Sequence, residues 1–133
     1  MQSKGLLLDT CAWVEYFKSR SSSLKQTVAA LLLTEKVYVC GPVLYELRQG
    51  IKSEKEKALL ANAFAALVYL EMDEALWFKA GELSALIKKQ GQTIPLSDIL
   101  IASLALKHDL TILTVDKHFE QIPGLKRYSL KAK

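Results

Sequence analysis

Short apolar runs alternate along the chain with longer stretches in which apolar residues recur at the spacing of a helix. The run Leu6–Leu8 and the β-branched run over residues 111–115 contain no charged side chain, which is typical of strands buried on both faces. Further strands are predicted over residues 37–40, 67–70 and 126–130. Helices are predicted over residues 11–19, 23–35, 42–49, 53–66, 73–90 and 97–108. This alternation favours an α/β fold, a three-layer α/β/α sandwich around a central parallel sheet of four to five strands.

Local capping signals support several of these helix boundaries. Ser53 is followed three residues later by Glu56, which is the pattern of a capping box, and Asp73 is a suitable N-cap residue. Gly91 is a typical residue for the position just beyond the end of a helix. The local signals and the hydrophobic pattern therefore predict the same elements.

The composition is that of one globular domain spanning residues 1–133. Half of the residues are apolar and 24% are charged, and a core of this size folds without disulfides or a structural metal. Cys11 and Cys40 stand apart, with no C-x-x-C spacing, and we interpret both as buried thiols. No stretch has the pattern of a signal peptide or the length of a membrane span, which predicts a cytoplasmic protein with no membrane partner.

The charge balance is modestly basic. The net charge is +4 and the isoelectric point is near 9.0, which is compatible with a polyanionic partner such as nucleic acid. The basic residues fall into three separate groups, a distribution that is more typical of solvated faces than of one binding groove.

Several acidic residues occupy positions that converge in a parallel sheet. Asp9 and Asp116 follow two predicted strands, and ligands of such sheets bind beyond the carboxyl ends of the strands. Asp98 opens a helix that is apolar on nearly every side, so its carboxylate has few places to point except into the same cleft. Glu46 flanks the apolar stripe of another helix. Taken alone, Asp98 is explained by the helix dipole and Glu46 by a surface ion pair.

Carboxylates that share a cleft repel one another, and a hard divalent cation relieves the repulsion. Mg²⁺ or Mn²⁺ prefers oxygen ligands and retains waters, which suits phosphoryl chemistry in a nuclease or a phosphatase. A phosphatase of the haloacid-dehalogenase type is excluded because Cys11 stands where that class has a second aspartate. A response-regulator receiver is excluded because Cys40 ends the strand where that class has its phosphoacceptor. His108 and His118 are interpreted as surface residues rather than ligands.

Four acidic motifs together resemble those of the PIN-domain ribonucleases, and more narrowly those of VapC-type toxins of prokaryotic toxin–antitoxin pairs. The motifs are Leu6-Leu7-Leu8-Asp9-Thr10-x-x-Trp13, Val43-x-x-Glu46-Leu47, Leu96-Ser97-Asp98-x-x-Ile101-Ala102 and Leu113-Thr114-x-Asp116-x-x-Phe119. The resemblance extends over nearly the whole chain and keeps the order of the family's motifs. It implies a PIN-like fold and metal-dependent hydrolysis of RNA by an acidic quartet around Mg²⁺ (or Mn²⁺), formed by Asp9, Glu46, Asp98 and Asp116.

The resemblance also implies supporting residues and partners. By the resemblance, the hydroxyl of Thr114, and with it that of Thr10, supports the carboxylates, whereas ordinary strand-end capping is the simpler explanation of both residues. Arg48 is the nearest basic residue to the quartet in sequence and is expected to contact the RNA backbone. Cys11 replaces a serine that is frequent in the family. The expected partners are an RNA substrate, a VapB-like antitoxin that lies across a groove near the active site, and a second copy of the chain in a homodimer.

Two other functions remain open at this stage. One is a PIN-type nuclease that processes RNA or DNA without an antitoxin. The other is a PIN-like module that binds RNA or protein without cleaving it, and the complete acidic quartet argues against this module. The small size of the chain favours the toxin over the processing nuclease.

Overall fold

Five parallel strands form the central sheet of the computed structural model, which describes residues 3–130. Every neighbouring pair of strands is parallel, and the order across the sheet is β3-β2-β1-β4-β5. The strands are β1 (Leu6–Leu8), β2 (Val37–Cys40), β3 (Val68–Leu70), β4 (Thr111–Leu113) and β5 (Lys126–Arg127). Parallel neighbours place all five carboxyl ends at the same edge, as the α/β interpretation requires.

Six α-helices flank this sheet, and each corresponds to a predicted helix. They are α1 (Thr10–Phe17), α2 (Ser23–Thr34), α3 (Gly41–Gln49), α4 (Glu54–Ala65), α5 (Glu74–Lys89) and α6 (Leu96–His108). A short 3₁₀ helix, Lys117–Gln121, follows β4. The predicted α/β/α fold with a sheet of four to five strands is confirmed. No helix within residues 3–130 is long and apolar enough to cross a membrane.

The core lies where the apolar runs predict it. All three residues of β1 are buried, because this strand has a neighbour on each side and helices on both faces of the sheet. In α6 every residue from Asp98 to Ala105 is buried, which matches its lack of a polar face. Trp13 is fully buried and stacks on Phe17 with 5.8 Å between the ring centroids, so both belong to the core.

The predicted caps are formed in the structure. The Ser53 hydroxyl accepts a hydrogen bond from the Glu56 amide at 3.1 Å, and the Asp73 carboxylate accepts one from the Leu76 amide at 2.8 Å. Beyond the end of α5, Gly91 has a φ of 83°, the left-handed conformation typical of a glycine in this position.

Most element ends lie within two residues of the prediction, and three differences remain, in β4, in β5 and at Cys11. β4 ends at Leu113 instead of residue 115, because the Thr114 hydroxyl accepts a hydrogen bond from the Asp116 amide at 2.9 Å and turns the chain out of the sheet. β5 covers two residues rather than five. The prediction of a buried thiol is confirmed for Cys40 and wrong for Cys11, which is half-buried at the carboxyl edge of the sheet.

Candidate active site

Two aspartates lie side by side at the carboxyl edge of the sheet. Asp9 follows β1 and caps α1, where its Oδ1 accepts a hydrogen bond from the Thr10 amide at 2.8 Å. Asp116 follows β4 and caps the 3₁₀ helix, where its Oδ1 accepts a hydrogen bond from the His118 amide at 2.9 Å. Because β1 and β4 are paired neighbours, the two carboxylates project from the same part of this edge.

The other two carboxylates reach the same edge from helices. Asp98 lies in the first turn of α6 and is 8% exposed. Glu46 lies on α3, which directly follows β2 and packs against α1 and α6. We refer to Asp9, Glu46, Asp98 and Asp116 as the acidic cluster. The structure brings together the four carboxylates that the sequence singles out.

Each neighbouring pair of carboxylates in the acidic cluster is connected by the hydrogen bonds of one intervening residue. The Thr10 hydroxyl donates to Glu46 Oε1 at 2.5 Å, while the amide of the same residue binds Asp9. The Thr114 hydroxyl donates to Asp9 Oδ2 at 2.8 Å and accepts from the Asp116 amide. Both threonines therefore do more than cap a strand, since each connects two members of the cluster.

His118 connects the remaining pair. Its Nδ1 lies 2.9 Å from Asp98 Oδ2 and 3.0 Å from Asp116 Oδ1. The interpretation of His118 as a solitary surface residue is therefore wrong: its side chain is 42% exposed, but its ring closes one end of the acidic cluster. No local signal in the sequence indicates this contact, because Asp98 lies 20 residues away on another element.

The cluster carries an excess of negative charge in a partly desolvated position. Burial raises the pKa of Asp9 and that of Asp98, and repulsion from the Asp116 carboxylate raises both further. Burial raises the pKa of the Cys40 thiol to about 11, and the negative charges of Asp9 and Glu46 add to this shift. A bound cation would offset the repulsion among these carboxylates and favour their ionised forms.

The donor set fits a divalent cation. Ligand atoms of Asp98, Asp116 and His118 lie within 4.8 Å of one another, and Asp9 adjoins them through Thr114. Carboxylate oxygens are the donors that Mg²⁺ and Mn²⁺ prefer in proteins.

Two further residues singled out by the sequence lie near the cluster. The Cys11 thiol is 3.6 Å from Asp9 Oδ2 and 3.7 Å from the Thr114 hydroxyl, so it occupies the place of a weak hydrogen-bonding group. Arg48 is exposed in the last turn of α3, two residues beyond Glu46. Two residues correspond to about 200° around a helix, so the Arg48 side chain leaves α3 on a different side from Glu46.

A groove of about 570 Å³ is lined by residues of α1, α3 and α4, and Glu46 is one of them. Its apolar lining includes Phe17, Leu47 and Leu59, and its polar lining includes Lys18 and Lys55. We refer to it as the α1–α4 groove. The groove is therefore mostly apolar, and its lining includes one carboxylate of the acidic cluster, that of Glu46.

The sequence model of the PIN-domain family matches residues 6–125 of the chain. The chain belongs to the PIN-domain family. It is 31% identical to Ribonuclease VapC11 from Mycobacterium tuberculosis over 121 residues, which are 88% of the chain and 90% of the relative. It is 27% identical to Ribonuclease VapC2 from Rickettsia felis over 124 residues, 90% of the chain and 92% of the relative. The resemblance inferred from the four PIN-domain motifs is thereby confirmed.

Solved structures of VapBC complexes share the fold across nearly the whole chain. The structure of VapBC2 from Rickettsia felis bound to a DNA fragment from their promoter superposes with a TM-score of 0.78 at 23% identity, over 95% of this chain and 98% of that one. DNA-bound VapBC from Salmonella typhimurium gives a TM-score of 0.79 at 22% identity, over 93% and 96% of the two chains. The PIN-like architecture is thus supported by sequence and by structure.

Proposed function

We propose that this PIN-domain protein is a metal-dependent endoribonuclease and the toxin of a toxin–antitoxin pair. The observation that carries the proposal is the acidic cluster at the carboxyl edge of the sheet, found in a chain 31% identical to a VapC ribonuclease. We further propose that residues 1–133 form a single domain and act in the cytoplasm, on RNA.

We assign the catalytic roles to the acidic cluster. Asp9, Asp98 and Asp116 hold the cation, and Glu46 contacts it directly or through water and helps to activate the attacking water. The proposed ion is Mg²⁺ (or Mn²⁺), since both take carboxylate ligands. When bound, such an ion lowers the pKa of water and stabilises charge on the phosphoryl oxygens. The hydroxyls of Thr10 and Thr114 keep the carboxylates in place, since each donates to one of them.

The RNA backbone is held by basic residues around the cluster. Arg48 is the proposed phosphate contact on α3 for RNA that extends past the side of the helix that carries Glu46, and Lys18 and Lys55 line the neighbouring α1–α4 groove. Such contacts recognise the negative charge of the phosphates and do not depend on the identity of the bases.

We propose that the α1–α4 groove receives a segment of an antitoxin that resembles VapB. Two features support this occupant. Most of the lining is apolar, which suits buried side chains of a peptide, and the lining includes Glu46, so a basic side chain of that peptide can reach the acidic cluster. Several structurally similar proteins were solved as VapBC complexes, and we extend that partnership, with a homodimer of the toxin, to this chain.

The nuclease proposal is tested with purified protein and a structured RNA in the presence of Mg²⁺ or Mn²⁺. We expect cleavage to cease with EDTA and to return when the ion is added in excess. Asp98→Asn removes one ligand and should lower the cleavage rate at least about a hundredfold, since electrostatic stabilisation at such sites is worth that much. The matched control is Glu82→Gln, an exposed carboxylate on α5, which should cleave normally. Cleavage that survives EDTA in a highly purified sample contradicts the metal assignment.

The toxin role is tested in cells. Induced expression should arrest growth, and the protein encoded immediately upstream should relieve the arrest and purify together with the toxin. Normal growth despite good expression of active enzyme would instead indicate a processing nuclease without an antitoxin.

A further inference from the structure

We propose that His118 is a ligand of the cation, so that the site has one nitrogen donor beside its carboxylates and binds Mn²⁺ in preference to Mg²⁺. This inference rests on the proposed metal-dependent function. It adds a residue that the four acidic motifs do not include, and it specifies which ion the site selects.

The position of the imidazole carries the inference. Nδ1 of His118 lies 2.9 Å from Asp98 Oδ2 and 3.0 Å from Asp116 Oδ1, two atoms that belong to different elements. Ligands at about 2.1 Å from an octahedral ion are separated by about 3 Å when they are adjacent in the coordination sphere. The nitrogen therefore already has the spacing of an adjacent ligand to each of the two oxygens. Ligand atoms of all three residues lie within 4.8 Å of one another, so small side-chain movements allow an ion to contact all three.

The local backbone fixes this arrangement. The amide of His118 donates to Asp116 Oδ1 at 2.9 Å, so the first turn of the 3₁₀ helix sets the distance between the ring and that carboxylate. The next residue, Phe119, is fully buried and anchors the turn in the core. The ring is thus presented to the acidic cluster by a rigid support rather than by a free loop.

The donor type decides the selectivity. An imidazole nitrogen is a softer ligand than a carboxylate oxygen, and it favours Mn²⁺, Co²⁺ or Zn²⁺ over Mg²⁺, which takes oxygen ligands and water. In the metal-free site Nδ1–H donates to the Asp98 and Asp116 carboxylates, and in the tautomer that carries its proton on Nε2 the Nδ1 lone pair becomes available to a cation at the same place. The oxygen ligands alone would leave the site with little preference between Mg²⁺ and Mn²⁺.

Pulsed electron paramagnetic resonance of the Mn²⁺-loaded protein tests the inference without any measurement of catalysis. A coordinated imidazole gives ¹⁴N modulation of the Mn²⁺ signal, and labelling of histidine with ¹⁵N should change that modulation. The chain has two histidines, so His118→Gln should abolish the modulation and His108→Gln should keep it. His108 is half-buried at the far end of α6 and is the matched control.

Titration calorimetry provides the second measurement. His118→Gln should weaken Mn²⁺ binding by about 10-fold to 100-fold, the range found for residues that support metal sites, while Mg²⁺ binding changes by less than about threefold, since Mg²⁺ replaces a lost ligand with water. Tight Mn²⁺ binding without ¹⁴N modulation would overturn the role of His118 and leave the proposed function intact. Failure of the wild type to bind either ion would overturn the proposed metal-dependent function itself.

Discussion

The threonine hydroxyls hold the carboxylates of the acidic cluster in position. Thr114 is the clearest case, because its oxygen donates to Asp9 Oδ2 and accepts from the Asp116 amide. A methyl group in its place would leave that amide without its partner and Asp9 without one of its donors. The hydroxyl is therefore expected to matter for both the fold and the site.

Thr114→Val tests this role with a side chain of the same shape. We expect a loss of about 1 kcal/mol in the free energy of unfolding, because Thr114 is half-buried and its two hydrogen bonds are lost. Metal affinity should fall about 10-fold to 100-fold, as for other groups that orient ligands. Urea unfolding and titration calorimetry measure the two effects. Thr114→Ser restores the hydroxyl and should rescue metal affinity, and a serine variant as weak as the valine variant would show that the methyl group is what matters.

The raised pKa of Asp98 predicts how the metal-free protein responds to pH. A carboxyl with a higher pKa in the folded than in the unfolded state stabilises the fold at low pH, and this stabilisation is lost as the pH rises through the folded-state pKa. Asp98→Asn mimics the neutral acid, so in chelator the variant should melt at a higher temperature than the wild type at pH 7. This advantage should shrink as the pH falls below the folded-state pKa. Thermal unfolding measures both, and an equal advantage for Glu82→Gln would contradict this explanation.

Three of the four carboxylates have a local marker in the sequence: Asp9 and Asp116 follow strands, whose ends meet at one edge of a parallel sheet, and Asp98 lies at the start of a helix. Glu46 has no such marker and is singled out by the resemblance to the PIN-domain motifs. The contacts of His118 are not predictable in this way. Its ring reaches Asp98 only because the 3₁₀ helix folds back over the start of α6, which depends on tertiary packing rather than on spacing.

Among the elements, the start of β1 has the strictest steric requirement. Gly5 has a φ of 155°, and a Cβ there would lie 2.6 Å from the carbonyl oxygen of Lys36. That oxygen is also the acceptor for the Leu6 amide, so it cannot move away without weakening the pairing of β1 with β2. The sequence before β1 is thus constrained by the neighbouring strand.

Gly5→Ala should therefore destabilise the protein by about 3 kcal/mol or more, since it combines a strained backbone with a steric overlap. Gly91→Ala is the control for backbone strain without steric overlap. Gly91 has a φ of 83°, and a Cβ added there would have no neighbouring atom within 4 Å. Gly91→Ala should cost about 1 kcal/mol. Urea unfolding of both variants gives the difference, and equal losses would show that the overlap at Gly5 is relieved without cost.

Every strand and α-helix of residues 3–130 is predicted from the hydrophobic pattern, while their ends are less predictable. β4 illustrates the reason: residues 111–115 are uniformly suited to a strand, yet Val115 is 59% exposed because the hydrogen bond from the Asp116 amide to Thr114 ends the pairing early. A side chain that binds its own backbone competes with the sheet, and the outcome depends on what the rest of the site requires.

At the scale of the whole molecule, the α1–α4 groove is the proposed binding site of the antitoxin, and its apolar lining lies beside the acidic cluster. Leu59→Glu should weaken the complex with the upstream-encoded protein at least about tenfold, because a carboxylate buried in an apolar contact costs more than about 1.4 kcal/mol. Leu59 is 48% exposed and lines the groove, so the change should be tolerated in the free protein. Leu33→Glu, at an 88% exposed position on α2, is the control. Surface plasmon resonance compares the two, and undiminished binding of Leu59→Glu would exclude the groove.

The order of the strands in the sheet also has a consequence for synthesis. β1 lies at the centre of the sheet, between β2 and β4, although it is made first. The first hundred residues already contain Asp9, Glu46 and Asp98, but Asp9 acquires Thr114 and its neighbour Asp116 only when the last quarter of the chain has emerged. A nascent chain that has not yet reached Asp116 therefore lacks one carboxylate of the acidic cluster and the Thr114 hydroxyl that holds Asp9, so the proposed nuclease stays inactive until both residues have emerged from the ribosome.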